Sequence, residues 1–119
     1  MRVLLVDDSV TMRRIQKTQI NSLGITDVIE AGDGEEAYRK LNENMPINLI
    51  MLDWNMPVMD GITLLKKVRA ENKFQSVKII MCTSESEKSK VVDALKAGAN
   101  NYLVKPFTPD ALKEKLGLL

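Results

Sequence analysis

The sequence predicts an α/β protein: a single doubly wound sheet of five parallel strands in the order 2-1-3-4-5, with five helices over its two faces. Three observations lead there. Five short apolar runs alternate with five segments whose apolar residues recur at helical spacing, so successive strands are joined by right-handed helical crossovers. The runs are unbroken, as in strands covered on both faces. Four of them stop at polar or charged residues (Asp7 and Asp8, Asp53, Thr83, Lys105), and the order 2-1-3-4-5 is the economical one because it gathers those strand ends along one edge. In open parallel sheets, ligands bind at that edge.

Val3 to Val6 is the first strand, and two aspartates follow it at once. Met12, Ile15, Ile20 and Leu23 then fall on one helical face, with Arg13, Arg14 and Lys17 turned elsewhere and Gly24 as the stop. Val28 to Ala31 is a weaker strand, suited to a sheet edge; Gly32 and Gly34 make the turn, and Ala37, Tyr38 and Leu41 stripe a second helix that gives out toward Asn44 and Pro46. Leu49 to Leu52 is the central strand and ends at Asp53. Trp54 to Gly61 carries a Pro and a Gly that keep the backbone out of helix, which leaves Asp53 at a strand-to-loop junction and Trp54 half exposed beside it. Leu64, Leu65 and Val68 mark the third helix. Val77 to Cys82 is a fourth strand ending at Thr83 and Ser84, followed by a helix marked by Val91, Val92 and Leu95 and closed by Gly98. Tyr102 to Val104 is the fifth strand, and Thr108 with Pro109 starts a helix carrying Leu112, Leu116 and Leu119.

The 119 residues make one domain, 1–119, with no linker, repeat or low-complexity tract. An apolar fraction of 45% and a charged fraction of 28% belong to a soluble globular chain. A formal net charge of +1 offers no footprint for nucleic acid or an anionic membrane. The apolar start is too short for a signal peptide and no run reaches transmembrane length, so a cytoplasmic location is expected. Cys82, the single cysteine, lies inside an apolar run and reads as a small buried hydrophobe. With no histidine, imidazole catalysis and zinc are set aside.

If Asp7, Asp8 and Asp53 meet at about 5 Å, each pair repels by about 3 kcal/mol at an effective dielectric near 20. Such a trio calls for a cation. Oxygen-only ligands point to a hard ion, Mg²⁺ or its substitute Mn²⁺. A metal beside a free carboxylate and the ammonium of Lys105 suits phosphoryl transfer, in which Asp53 attacks in line and the hydroxyl of Thr83 donates to the arriving group. Taken singly, each residue has a plainer reading: Asp7 and Asp8 as caps of the first helix, Lys105 as a solvated charge, Thr83 as a strand terminus, Tyr102 as core packing.

Over its entire length the sequence resembles the response-regulator receiver domain, a flavodoxin-like fold. The resemblance rests on the acidic pair Asp7 and Asp8, DWNMPVMDG from Asp53, TSE from Thr83 and KPF from Lys105, in that family's order and spacing. The strand order is itself a known property of the family. The segments TMRR from Thr11 and NYLVKPFTPDALKEKL from Asn101 are similar to those of the stand-alone chemotaxis members. The resemblance implies that Asp53 accepts a phosphoryl group from the phosphohistidine of a chemotaxis-type histidine kinase, with Thr83 and Lys105 assisting. It implies that Asp8, Asp53 and the main-chain carbonyl of Asn55 coordinate Mg²⁺, with Asp7 acting through water or a neighbouring contact, and that the Lys105–Pro106 peptide is cis. Asn55 and Glu85 stand at positions that control water access to the acyl phosphate. Tyr102 is the aromatic that turns inward with Thr83, and Ser86, Val91, Tyr102, Val104 and Lys115 form the output face for a flagellar motor switch protein. The implied protein is a monomer that catalyses only its own phosphorylation and dephosphorylation, is open to a phosphatase, and binds neither nucleic acid nor membrane. Because the sequence ends just after the fifth helix, a diffusible messenger is expected.

Three rivals have their own signatures. An aspartyl-nucleophile phosphatase wants a second acid two residues after the nucleophile, where this chain has Asn55. A flavin-binding electron carrier wants a hydroxyl-rich phosphate cradle after the first strand, where Asp7 and Asp8 would repel a phosphate. A receiver regulating a partner other than the motor shares every motif above.

Overall fold

The structure, a computed structural model, describes residues 1–84 and 88–117. Five parallel strands, β1 (Arg2–Val6), β2 (Asp27–Ala31), β3 (Leu49–Asp53), β4 (Lys78–Ser84) and β5 (Asn101–Lys105), pair in the order β2-β1-β3-β4-β5. Between and after them run α1 (Val10–Ser22), α2 (Gly34–Glu43), α3 (Gly61–Arg69), α4 (Lys88–Lys96) and α5 (Pro109–Gly117), and a short 3-10 turn, Asn72–Phe74, leads into β4. The α/β doubly wound sheet expected from the sequence is the one observed.

The unbroken apolar runs have a direct cause. Side chains alternate across a strand, so Leu4 and Val6, Ile50 and Leu52, and Ile79 and Met81 face one way, into a core with Ala37 and Leu41 of α2, Leu64, Leu65 and Val68 of α3, and Ala94 of α4. Val3 and Leu5, Leu49 and Met51, Ile80 and Cys82, and Leu103 face the other way, against Ile20 of α1 and Leu112 of α5. β1, β3 and β4 each feed two cores, and a polar residue on either face of these three strands would be stranded. β2, at the edge, is only half-buried over Val28 to Glu30, in keeping with its weaker pattern.

The helices depart from the sequence reading in places. Ile15, placed on the buried face of α1, is 48% exposed, and Gln16 takes the inward position above Ile20. On α4, Val92 and Leu95 are 52% and 43% exposed, while Val91 and Ala94 face inward. In both helices two neighbouring residues competed for one inward direction and spacing alone could not choose between them. Gly34 belongs to α2 rather than to the turn. Trp54, expected half exposed, is 7% exposed and packs into the core under α2, α3 and α4. Leu119, Glu85 and Ser86 lie outside the described residues. Among the described residues no helix is long and apolar enough to cross a membrane.

Candidate functional site

Register decides what meets at the carboxyl edge of the sheet. Val6 lies opposite Leu52, so Asp7 emerges level with Asp53; Asp53 lies opposite Cys82, just before Thr83; and Thr83 and Ser84 lie opposite Val104 and Lys105. Residues separated by up to about a hundred positions thus meet at one place: Lys105 and Asp7 pair across 98 residues, with Nζ 3.2 Å from Oδ2. Lys105 Nζ also donates to Asp53 Oδ1 at 2.8 Å. One carboxylate oxygen from each of Asp7, Asp8 and Asp53 lies within 4.8 Å of the others.

Local chemistry holds these side chains in place. Ser9 is the N-cap of α1, its Oγ accepting from the Met12 N–H at 3.2 Å, so the capping role open to Asp7 and Asp8 is filled by a neighbour. Asp7 instead accepts from the Ser9 N–H at 2.9 Å. The main-chain N–H of Trp54 donates to Asp53 Oδ1 at 2.9 Å. After Asp53 the loop folds back until the Gly61 N–H reaches the Trp54 carbonyl at 2.8 Å, and a Cβ at Gly61 would collide with the Asp53 carbonyl, which is why a glycine begins α3. Gly34 similarly lies against Met59, tying the loop after β2 to the loop after β3. The Lys105–Pro106 peptide is cis.

The electrostatics are divided. Burial pushes the Asp53 carboxyl above the usual carboxylate range, and the hydrogen bond and charge of Lys105 oppose that shift without cancelling it. Burial pushes the Lys105 ammonium down, but Asp53 and Asp7 outweigh it and hold its pKa above the ordinary lysine value. Lys105 is therefore a firm cation between two buried acids, Asp7 at 2% and Asp53 at 8% exposure, with Asp8 exposed at the rim. Cys82 beneath them has its thiol pushed up to about 12 by burial, so it stays protonated and inert.

The donor set fits a hard divalent cation. It holds oxygen ligands and neither nitrogen nor sulfur, and a spread of 4.8 Å closes around one ion at oxygen distances of about 2.1–2.5 Å with small side-chain rotations. Thr83, one residue past the Cys82 that lies opposite Asp53, is 1% exposed, and its Oγ1 has no hydrogen-bond partner among the described residues.

The remaining residues singled out from the sequence separate into two groups. Thr83, Ser84, Val91, Tyr102 and Val104 line a cavity of about 300 Å³ between β4, α4 and β5, and the Lys115 ammonium sits 4.4 Å from the centre of the Tyr102 ring. Asn55 is exposed on the loop after Asp53. Two contributors were not legible beforehand: Ser9 as the cap, and Arg13, which reaches back to the main chain of Asp7. A serine just before an apolar-periodic segment is a usable cap signal; no spacing pattern marks Arg13.

Residues 3–117 match the family described as the response regulator receiver domain. Chemotaxis protein CheY1 of Helicobacter pylori strain J99 is 56% identical over 116 residues, covering 98% of this chain and 94% of that protein. A CheY homolog of Campylobacter jejuni is 55% identical over 116 residues, covering 98% and 89%. Among solved structures, chemotaxis protein CheY4 of Vibrio cholerae superposes with a TM-score of 0.87 at 35% identity, covering 98% of this chain and 95% of that one. CheY of Borrelia burgdorferi, in a complex with CheX, BeF3 and Mg, gives 0.89 at 33% identity, covering 98% and 86%. With that likeness running nearly end to end and the acids gathered where the fold places its ligands, the chain belongs to the response regulator receiver family and is similar to its CheY-type chemotaxis members.

Proposed function

We propose that the chain, as one receiver domain over residues 1–119, is a cytoplasmic phosphoacceptor of a chemotaxis two-component system. A chemotaxis-type histidine kinase supplies the phosphoryl group. An Asp53 oxygen attacks the phosphorus of the kinase phosphohistidine, the O–P bond of an aspartyl phosphate forms as the P–N bond breaks, and the imidazole leaves with the bonding electrons. Asp8, Asp53 and the main-chain carbonyl of Asn55 would hold Mg²⁺, with Asp7 linked through water. When bound, the ion supplies positive charge against the phosphoryl oxygens. Lys105 donates to a phosphoryl oxygen, exchanging its pairing with Asp53, and Thr83 Oγ1 gains the acceptor it lacks. Asn55 and Glu85 govern water access to the acyl phosphate, and so its lifetime.

The output is a change of surface, with no turnover of an external substrate. Movement of Thr83 opens room for the Tyr102 ring in the cavity the two residues share, and the face formed by Val91, Tyr102, Val104 and Lys115, together with Ser86, takes up a peptide of a flagellar motor switch protein. A phosphatase resets the monomeric protein. The Borrelia relative, whose structure contains CheX, BeF3 and Mg, supports the choice of metal and phosphoryl mimic.

The single observation that carries the reading is the buried hydroxyl of Thr83, without a hydrogen-bond partner among the described residues, at the strand end next to an acid trio braced by Lys105. Incubation with phosphorylated chemotaxis kinase or acetyl phosphate should label the protein only when Mg²⁺ is present, and Asp53→Asn should not label. Undiminished labelling of that variant would place the acceptor elsewhere. Capture of motor-switch peptide by beryllofluoride-treated but not untreated protein supports the motor as target; equal capture in both states would reject it in favour of a different regulated partner.

A further inference from the structure

The geometry points to Arg13 as a positioning residue for the metal-binding acids, one that acts on the peptide between Asp7 and Asp8 without touching the ion. The inference rests on the metal reading proposed above. Arg13 lies in the first turns of α1, its side chain 16% exposed, and its guanidinium joins two elements: Nη1 donates to the main-chain carbonyl of Asp7 at 2.5 Å, and Nε donates to Glu30 Oε1 on β2 at 3.2 Å. The carbonyl of Asp7 belongs to the peptide that carries Asp8. The N–H of Asp7 donates in turn to the Ala31 carbonyl at 3.1 Å. The chain entering the metal site is thus held on both sides of Asp7, by the end of β2 and by Arg13.

That hold matters most for Asp8. Asp7 is buried and fixed by its bonds to the Ser9 N–H and to Lys105, whereas Asp8 is exposed, and its carboxylate goes where its backbone points it. Rotation of the Asp7–Asp8 peptide would swing Asp8 away from Asp53 and enlarge the 4.8 Å spread of donors. The far end of the brace is firm as well. Glu30 pairs with Lys17 at 3.7 Å, and its main-chain carbonyl accepts from Lys40 Nζ at 2.5 Å. Only a planar fork can serve the carbonyl and the carboxylate together; a lysine reaches one of them and fixes no plane.

Charge and positioning make opposite predictions for this residue. Removing a cation from beside three acids should strengthen Mg²⁺ binding if charge alone matters, and should weaken it if Arg13 orients Asp8. Isothermal titration of MgCl₂ into unphosphorylated wild type, Arg13→Met and Arg13→Lys decides between them, with circular dichroism confirming the fold. The expected result is a ten- to hundredfold rise in Kd for Arg13→Met, the usual range for losing a group that orients a metal ligand, and a rise of at least about fivefold for Arg13→Lys. Lys17→Met, which removes a cation from the same Glu30 but none from the Asp7 carbonyl, should stay within about twofold. Unchanged or tighter binding in either folded Arg13 variant overturns the proposal, as does an equal loss in Lys17→Met. Should Arg13→Met fail to fold, Arg13→Lys alone decides by the same criterion. If wild type itself takes up no Mg²⁺, it is the metal reading that has failed.

Discussion

Replacing Asp53 by Asn tests the electrostatics of the cleft before any ligand arrives. The Asp53 carboxylate lies within 4.8 Å of Asp7 and Asp8, so at an effective dielectric near 20 the two repulsions cost at least about 3 kcal/mol each. The Lys105 ammonium, at 2.8 Å, returns about 6 kcal/mol on the same scale. These contributions nearly cancel, and desolvation of the ionised form remains, in line with the raised pKa of Asp53. A carboxyl whose folded pKa exceeds its ordinary 3.8 holds its proton more tightly when folded, so its contribution to stability falls as pH rises above that value. At neutral pH ionised Asp53 is a net cost. Asn has nearly the same shape, keeps an acceptor for Lys105 and the Trp54 N–H, and carries no charge. In urea unfolding with EDTA at about pH 7, Asp53→Asn should therefore be more stable by about 1–2 kcal/mol, or roughly 5 °C in thermal midpoint for a chain of this size. The advantage should shrink as pH falls toward the ordinary carboxylate value of 3.8, because the wild-type carboxyl takes up its proton above that value. Millimolar Mg²⁺ should stabilise wild type more than the variant. A variant less stable than wild type in EDTA at neutral pH would mean that the Lys105 pairing outweighs repulsion and burial together, and would refute this balance of forces.

Arg69→Met should cost about 3–5 kcal/mol in chemical denaturation, because Arg69 donates to the carbonyls of Gly98 at 2.9 Å, Phe74 at 3.1 Å and Val77 at 2.7 Å and to Asn100 Oδ1 at 2.9 Å, joining α3 to the loops on both sides of β4 and α4; a loss below about 1 kcal/mol would show that water replaces the guanidinium freely. Gln16→Leu should stabilise the protein by about 1 kcal/mol, since Gln16 is 2% exposed and its Nε2 lacks a partner among the described residues, and a destabilised variant in the same assay would reveal a buried water or a hidden acceptor. Thr83→Val removes the other orphaned polar atom, so resting stability should hold or rise by up to about 1 kcal/mol while the affinity for beryllofluoride with Mg²⁺ falls about tenfold; unchanged affinity, read by titration calorimetry, would free Thr83 of any role toward the phosphoryl group.

What the sequence made legible follows from what governs each feature. Strand placement was readable because burial on both faces leaves no room for polar residues, so Leu49 to Leu52 could be nothing else, and its termination at Asp53 marked the site. The gathering of Asp7, Asp53, Thr83 and Lys105 followed from topology, which places every strand end at one edge whatever the details of packing. Helix faces were harder. Ile15 and Val92 are apolar and correctly spaced, yet point outward, because the inward direction is set by how α1 and α4 roll against the sheet, to which Gln16 and Ala94 are equally well suited. Trp54 was misplaced for a related reason: a position just past a polar strand end looks like loop, while the main chain turns back through Gly61 and carries the indole under α4, where Lys90 Nζ lies 5.3 Å from its ring. Side chains that serve the backbone, Arg13 and Arg69 above all, leave no periodic trace, since their partners are carbonyls that every sequence has.

Gln16 and Thr83 show how the same defect carries different weight by location. Each leaves a buried polar atom without a partner among the described residues, at a cost of about 1–3 kcal/mol to the resting fold. Gln16 sits one turn above Ile20 on the face of α1 that packs against β1 and α5, and no step of the proposed phosphorylation brings its Nε2 a partner, so its cost is constant. Thr83 sits at the strand end beside Asp53 and Lys105, and in the proposed reading its cost disappears when a phosphoryl oxygen arrives. Moving a two-state equilibrium from mostly resting to mostly active takes about 5 kcal/mol of differential stabilisation. Relief of one unsatisfied hydroxyl supplies a sizeable share of that, and the exchange of Lys105 from Asp53 to the phosphoryl group is available for the rest. An orphaned hydroxyl that weakens the resting state is, on this view, what allows a single covalent event at Asp53 to redistribute the conformations of the β4, α4 and β5 face.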